Sequence, residues 1–296
     1  CIRDRDKHGR AGTWPVGGHT MGGYATHHVV DERFGIRVPK AYPMEAAGPV
    51  MCAGVTVYDP MKRYGVGAGS AVGVVGLGGL GVMAVKIARA MGASEVVVFS
   101  RSETKRSLAR RCGATAFASS EDADAMRRAR GTLDLILNTV PVAHDYLRFQ
   151  KLLKKRERGR PRAKQVVLGL HAGLVSGMVA RGVRGENSPI VASAIGGIRA
   201  TQEVMDLCAA HGIVPELEIL PVSRLTEIYE ALDSGNDSGV RYVLDSAAFA
   251  ADGRAGRVDA LRTAGPPRLV LDDRNAFGPR GVVRDLARVF CGCHVC

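Results

Sequence analysis

Gly76, Gly78 and Gly81 fall at the G-x-G-x-x-G spacing within Val75-Gly-Leu-Gly-Gly-Leu-Gly81. Positions without side chains permit a tight turn, let a pyrophosphate approach the backbone, and let a helix pack closely on a strand. A helix starting inside the motif adds unpaired N–H groups and the positive end of its dipole. About 20 residues beyond such glycines, an NAD-preferring site carries an Asp or Glu for the ribose hydroxyls. This chain instead offers Ser100-Arg101-Ser102, with Lys105 close behind. Hydroxyls and a guanidinium suit a ribose 2′-phosphate, which an acid would repel, so the spacing points to NADP. The competing reading of the same residues is a solvated helix start with Ser102 as its cap and Lys105 and Arg106 exposed.

Strands and helices must place these groups, and the hydrophobic periodicity supplies them in alternation. Ala71–Val75 reads as a buried strand, Val82–Met91 as a helix with one apolar face, and Val96–Phe99 as a second buried strand. Further on, helices are expected over Ser102–Cys112, Asp122–Arg130, Asp145–Leu153, Ala200–His211 and Val222–Asp233. Strands are expected near Gly113–Ser119 and over Leu133–Val140, Gln165–Leu170, Val191–Ile195, Glu216–Leu220 and Val240–Leu244. This order predicts an α/β fold with a doubly wound parallel sheet, ligands binding at the strand C-terminal ends. Asn138, Thr139, Gly169 and Leu170 sit at such ends; as ordinary turn residues they would need no ligand. Met44–Tyr64 reads as a helix leading in. The Gly- and Pro-punctuated residues before it, with short β-type runs at Tyr24–Val30 and Gly35–Val38, read as part of a β-rich domain.

The chain has 296 residues, 46% of them hydrophobic, enough for a large packed core. No apolar run approaches the ~20 residues needed to span a bilayer, and no charged-then-apolar leader opens the chain, so a cytoplasmic protein is expected. The chain starts at Cys1 rather than Met, and an upstream part is expected to be missing. Its net charge of +12 is local: Lys151–Lys164 carries +7 and Phe249–Cys296 carries +3. Lys151–Lys164 reads as a solvated loop and lacks the interleaved aromatic residues of a single-stranded nucleic-acid platform, so no nucleic-acid partner is expected. The seven cysteines form no spaced framework and are expected to be reduced. Cys52, alone among Val, Met and Ala, reads by itself as a small buried hydrophobe. His19, His27 and His28 lack the accompanying spacing of a zinc site. Cys291, Cys293, His294 and Cys296 could bind a soft metal or oxidise, within a tail expected to be poorly ordered.

Six motifs in order carry a family resemblance over roughly Cys1–Asp245. They are Met21-Gly-Gly-Tyr24, Cys52-Ala-Gly-Val-Thr-Val-Tyr58, the glycine motif ending at Gly81, Asn138-Thr-Val-Pro-Val142, Ile195-Gly-Gly-Ile-Arg-Ala-Thr-Gln-Glu203 and Val240-Arg-Tyr-Val-Leu-Asp245. The chain resembles the zinc-dependent medium-chain alcohol dehydrogenases, specifically the NADP-using cinnamyl alcohol dehydrogenase group. The resemblance implies a remnant of a β-rich GroES-like catalytic domain in residues 1–51, a Rossmann domain over 52–195, a return to the catalytic domain over 196–246, and a tail over 247–296. It implies that Cys52 is a ligand of the catalytic zinc and that Cys1 stands where a structural-zinc cysteine stands. It also implies NADP contacts at Thr56, Gly76, Leu77, Gly78, Gly79, Leu80, Gly81, Ser100, Arg101, Ser102, Lys105, Thr139, Gly169, Leu170, Ser193, Ala194 and Ile195. The implied activity is reduction of an aldehyde, or oxidation of a primary alcohol, at zinc with hydride from the nicotinamide; a homodimer is what the family suggests.

The departures from the family pattern are on the same footing. The family's Cys-x-x-His and Gly-His-Glu ligand motifs are not in this sequence, Gly18-His19-Thr20 lacking the acid. Lys151–Lys164 and His171–Glu186 look longer than the family's turns. The alternative expectation is therefore an NADP(H)-binding protein impaired in catalysis.

Overall fold

The computed structural model describes residues 32–155, 163–169, 188–233 and 238–245. The short run Tyr24–Val30, His19, His27, His28, Cys1, Leu170, the run His171–Glu186 and the cysteine-bearing tail lie outside them.

Six strands build one parallel sheet: β1 (Ala71–Val75), β2 (Glu95–Ser100), β3 (Ala116–Ser119), β4 (Leu135–Asn138), β5 (Lys164–Val167) and β6 (Ile190–Ala192), in the order β3-β2-β1-β4-β5-β6. The order reverses between β1 and β4, which opens a crevice at the carboxyl ends of those two strands. Alternate residues serve opposite faces, as a pleated strand requires. Val72, Val74, Val96, Val98, Leu135 and Leu137 join one apolar cluster, whereas Ala71, Val75, Val97, Phe99 and Ile136 join another on the far side. Both faces are covered, which is why β1 reads as an unbroken apolar run rather than an alternating one.

One face is covered by a helical segment that precedes the sheet and by the helix that follows β1. Helix α1 (Met44–Pro49) passes into a π turn (Val50–Gly54) and then α2 (Val55–Arg63), followed in the chain by α3 (Gly79–Ala90). Proline 49 has no N–H to donate, and the hydrogen-bond ladder widens immediately after it. The single helix expected over Met44–Tyr64 is thus continuous in direction but carries a bulge where Cys52 sits. Helices α4 (Arg106–Arg111), α5 (Ala123–Arg128) and α6 (Tyr146–Gln150) follow β2, β3 and β4. Asp122 and Asp145 cap α5 and α6 by accepting the N–H groups two and three residues on. Helix α7 (Ile198–Ala210) packs on α2 and the π turn, and a separate parallel pair, β7 (Leu217–Pro221) and β8 (Arg241–Asp245), is bridged in sequence by α8 (Leu225–Asp233).

Three expectations need correction. Gly35–Val38 forms no strand: Arg37 offers its N–H to Gln202 Oε1 at 2.8 Å and accepts from Gln202 Nε2 at 3.0 Å, so one side-chain amide on α7 replaces a neighbouring strand. The basic run beginning at Lys151 is not wholly a solvated loop, because Leu152, Leu153 and Lys164 are buried at its two ends. Ser102 makes no side-chain cap; its hydroxyl pairs with Thr104 Oγ1 at 2.6 Å, and Lys105 is buried, which removes the solvated-helix-start reading.

Candidate functional site

The carboxyl edge of the sheet gathers most of the predicted site residues, because each follows a parallel strand. Gly76 follows β1, Ser100 ends β2 with Arg101 next, Thr139 follows β4, Gly169 follows β5 and Ser193 follows β6. Gly76 has φ +87°, a conformation that only glycine adopts without strain, and its N–H donates to the Phe99 carbonyl at 2.9 Å. The turn is walled by β4: a Cβ on Gly76 would stand 2.9 Å from Val140 Cγ2 and 3.0 Å from Thr139 Oγ1. Thr139 is fixed in turn, its hydroxyl donating to the Val75 carbonyl at 2.9 Å. Gly169 closes the other side of Val140, where a Cβ would come within 2.1 Å of the Val140 carbonyl oxygen.

Helix α3 begins at Gly79 and aims its first N–H groups at this edge. Gly81 lets it do so, because a Cβ there would lie 2.2 Å from the Gly76 carbonyl oxygen; Gly78, by contrast, has open space where its Cβ would stand. Leu77 is buried and Leu80 half-buried beneath the turn. An open cradle with converging N–H donors fits a phosphate ester.

Charge at the far end of the cradle favours an anion. The acid in Ser100–Arg106 is Glu103, and Arg106 takes both its oxygens, at 2.8 and 3.0 Å, while lying 4.6 Å over the Phe117 ring. Arg101 is exposed and, among the described residues, enters no ion pair. Ser100 Oγ accepts from the Ser102 N–H at 3.3 Å, which keeps both hydroxyls beside it.

Arg241 lies in the motif Val240–Asp245, whose residue types alone assign it no role. It is 5% exposed in β8, and its guanidinium lies against Gly79, where a Cβ would stand 2.3 Å from Nε. A charged residue inside the apolar run Val240–Leu244 was the available signal, since arginine is rarely buried without a purpose for its charge.

Thr56 is buried in α2, whose Val55 and Asp59 press on Gly196 just beyond Ser193-Ala194-Ile195; the Ser193 N–H donates to the Val167 carbonyl at 3.1 Å. Cys52 is half-buried in the π turn, a feature that recurs at functional sites. Cys112 and Cys208 are buried, and burial raises both thiols, Cys208 to about 12, so they stay protonated and inert. Among the described residues no three Cys, His, Asp or Glu side chains group as metal donors.

The family described as "Zinc-binding dehydrogenase" matches residues 79–210. The chain is 39% identical over 232 residues to the aldehyde reductase YahK of Escherichia coli (strain K12), covering 77% of this chain and 64% of that protein. It is 42% identical over 230 residues to cinnamyl alcohol dehydrogenase 7 of Arabidopsis thaliana, covering 77% of this chain and 62% of that one. The crystal structure of the cinnamyl alcohol dehydrogenase from Helicobacter pylori complexed with NADP(H) superposes with a TM-score of 0.59 at 35% identity, covering 72% of this chain and 58% of that one. The chain therefore spans less than two thirds of the length of these relatives.

Proposed function

We propose that this chain is a member of the zinc-dependent medium-chain alcohol dehydrogenases, in the group of the cinnamyl alcohol dehydrogenases, and that it is an NADP(H)-dependent oxidoreductase interconverting primary alcohols and aldehydes; the family match and the named relatives support that reading. The observation that carries the cofactor choice is Arg101, exposed and without an ion-pair partner among the described residues, beside two serine hydroxyls where an acid would favour NAD.

The residues present fit the dinucleotide. Gly76, Leu77, Gly78, Gly79, Leu80 and Gly81 cradle the pyrophosphate, with the α3 N–H groups as donors and Arg241 supplying positive charge. Ser100, Arg101, Ser102 and Lys105 take the 2′-phosphate. Thr139, Gly169 and the Ser193–Ile195 segment line the crevice beyond the switch point, and Thr56 supports that segment from α2. When bound, NADPH supplies the hydride that reduces a carbonyl carbon. The domain division at 52–195 and 196–246 belongs to the same proposal, supported by a six-stranded sheet that ends at Ala192 and a separate β7–β8 pair. A homodimer in the cytoplasm without nucleic-acid partners completes it; no helix among the described residues is long and apolar enough to cross a membrane.

Zinc is a different matter. The resemblance gives Cys52 to the zinc, and among the described residues no three Cys, His, Asp or Glu side chains group as metal donors. The second reading is NADP(H) binding without turnover. Metal analysis together with an aldehyde-reduction assay separates the two: zinc at one equivalent with NADPH-dependent turnover supports the enzyme, and NADPH binding with neither supports the second reading.

A further inference from the structure

Behind the cradle three hydrogen bonds follow one another. His144 Nδ1 is 2.7 Å from the Val142 carbonyl oxygen, His144 Nε2 is 2.8 Å from Asn138 Nδ2, and Asn138 Oδ1 is 3.4 Å from the Val140 amide nitrogen. Their roles are forced. A carbonyl oxygen only accepts, so Nδ1 carries a proton and donates to Val142. The Val140 N–H only donates, so Oδ1 of the fully buried Asn138 faces it, and the Asn138 amide N–H is left to donate to Nε2. That pattern is complete with a neutral imidazole carrying its proton on Nδ1.

The chain of bonds ends on Val140, the residue pressed between Gly76 and Gly169 at the crevice. His144 is itself held by rings, Tyr146 at 4.2 Å and Phe149 at 6.0 Å between centroids. The Tyr146 phenol is raised by burial and stays neutral. Among the described residues the charged groups on the flanking elements are otherwise engaged: Asp145 accepts from the Leu147 and Arg148 N–H groups, and Arg148 pairs with Glu121 at 3.7 Å. Asn138 on β4 and Gln165 on β5 are neutral.

We propose that His144 is a positioning residue for the cofactor: in its neutral Nδ1–H form it locks Asn138, and through Asn138 the Val140 wall of the crevice, so that protonation of His144 loosens NADP(H) binding. The proposal rests on the NADP(H) reading above. A proton on Nε2 sets a donor against the Asn138 amide N–H. Turning the Asn138 amide over relieves that contact only by pointing its NH₂ at the Val140 N–H. With either orientation the network has one donor too many.

The test is NADP⁺ titration by calorimetry from pH 5.5 to 8.5 with wild type, His144→Phe and Asn138→Asp. On going from pH 8.5 to 5.5, affinity falls about tenfold more in wild type than in His144→Phe; comparing the two cancels titration of the cofactor's own phosphate. Asn138→Asp offers an acceptor to Nε2, so it needs the imidazolium, and its profile reverses, affinity being kept at low pH and lost as pH rises. Identical profiles in wild type and His144→Phe, or a wild-type direction in Asn138→Asp, overturn the proposal. Absence of NADP⁺ binding in wild type at every pH overturns the cofactor reading instead. Nitrogen-15 NMR of wild-type histidines at pH 8 gives an answer that no variant's folding can disturb: an Nδ1–H tautomer at His144 is expected, and an Nε2–H tautomer overturns the proposal.

Discussion

The guanidinium of Arg241 lies against Gly79, so close that a Cβ on that glycine would stand 2.3 Å from Nε. The contact joins two sheets. Gly79 opens α3 at the edge of the six-stranded sheet, and Arg241 belongs to β8 of the separate pair. The sequence holds them 162 positions apart, and nothing in the glycine motif announces that a cation will be brought to it from so far along the chain.

Arg241→Gln should weaken NADPH and NADH to a similar degree, because the pyrophosphate is common to both. Loss of one charge-assisted contact amounts to about 1.5–3 kcal/mol, or roughly a 10- to 100-fold rise in Kd. Fluorescence titration with both cofactors checks it. An effect confined to one of the two would place Arg241 elsewhere than at the pyrophosphate.

Arg101→Asp should separate the cofactors. The substitution removes a guanidinium and adds a carboxylate beside the expected 2′-phosphate, so NADPH affinity should fall roughly 10- to 100-fold while NADH affinity holds or rises. Glu103 remains clamped by Arg106 in either protein, so the change at residue 101 is not blurred by a second free acid. The ratio of the two Kd values is the measurement, and an unchanged ratio would sink the assignment of Ser100–Lys105.

The cradle and its sheet were legible because their signals are local. A five-residue strand with four apolar side chains, the four glycines of the turn and a one-faced helix sit within 20 positions, and each strand that follows carries its own periodicity. The Cys52 bulge was not legible, since Pro49 alone does not say whether a helix kinks, ends or widens. Nor was the docking of Arg37 on Gln202, where a side-chain amide 165 residues away does the work of a strand. Asn138 and Val140 belong to the motif Asn138–Val142 and His144 lies two residues beyond it, but hydrogen-bond direction depends on a turn geometry that residue types do not encode.

Glu203 should make stability pH-dependent. It receives Lys62 and Tyr58 from α2 and Arg199 from its own helix, at 3.3 Å for Tyr58 and 3.1 Å for Arg199. The Lys62 hydrogen bond above all, and Arg199 with it, hold its carboxyl below the ordinary range. A lowered folded-state value means the contribution is complete above the unfolded value and disappears as pH falls through the lowered one. Glu203→Gln should therefore reduce stability by about 0.5–1 kcal/mol at neutral pH, discounted for partial exposure. The gap in Tm between wild type and variant should close as the pH is taken below the ordinary carboxylate range; a gap that persists there would show that packing, not charge, holds α2 to α7.

Two glycines of one motif should both lose cofactor affinity when replaced by alanine, but only one of them should lose stability. At Gly81 the new methyl would stand 2.2 Å from the Gly76 carbonyl oxygen, a backbone atom that cannot swing aside, so α3 must back away from β1. Overpacking of that kind amounts to about 1–3 kcal/mol, and Gly81→Ala should lower Tm as well as cofactor affinity. At Gly78 the backbone is extended, with φ −90° and ψ −165°, and nothing stands within 4 Å of the new Cβ. Gly78→Ala should therefore fold with an unchanged Tm and still lose affinity for NADPH and NADH alike, because its methyl projects into the open space over the cradle. Thermal denaturation and cofactor titration of the pair decide the matter. If Gly78→Ala bound both cofactors like wild type, the space above that turn would not be where the pyrophosphate lies.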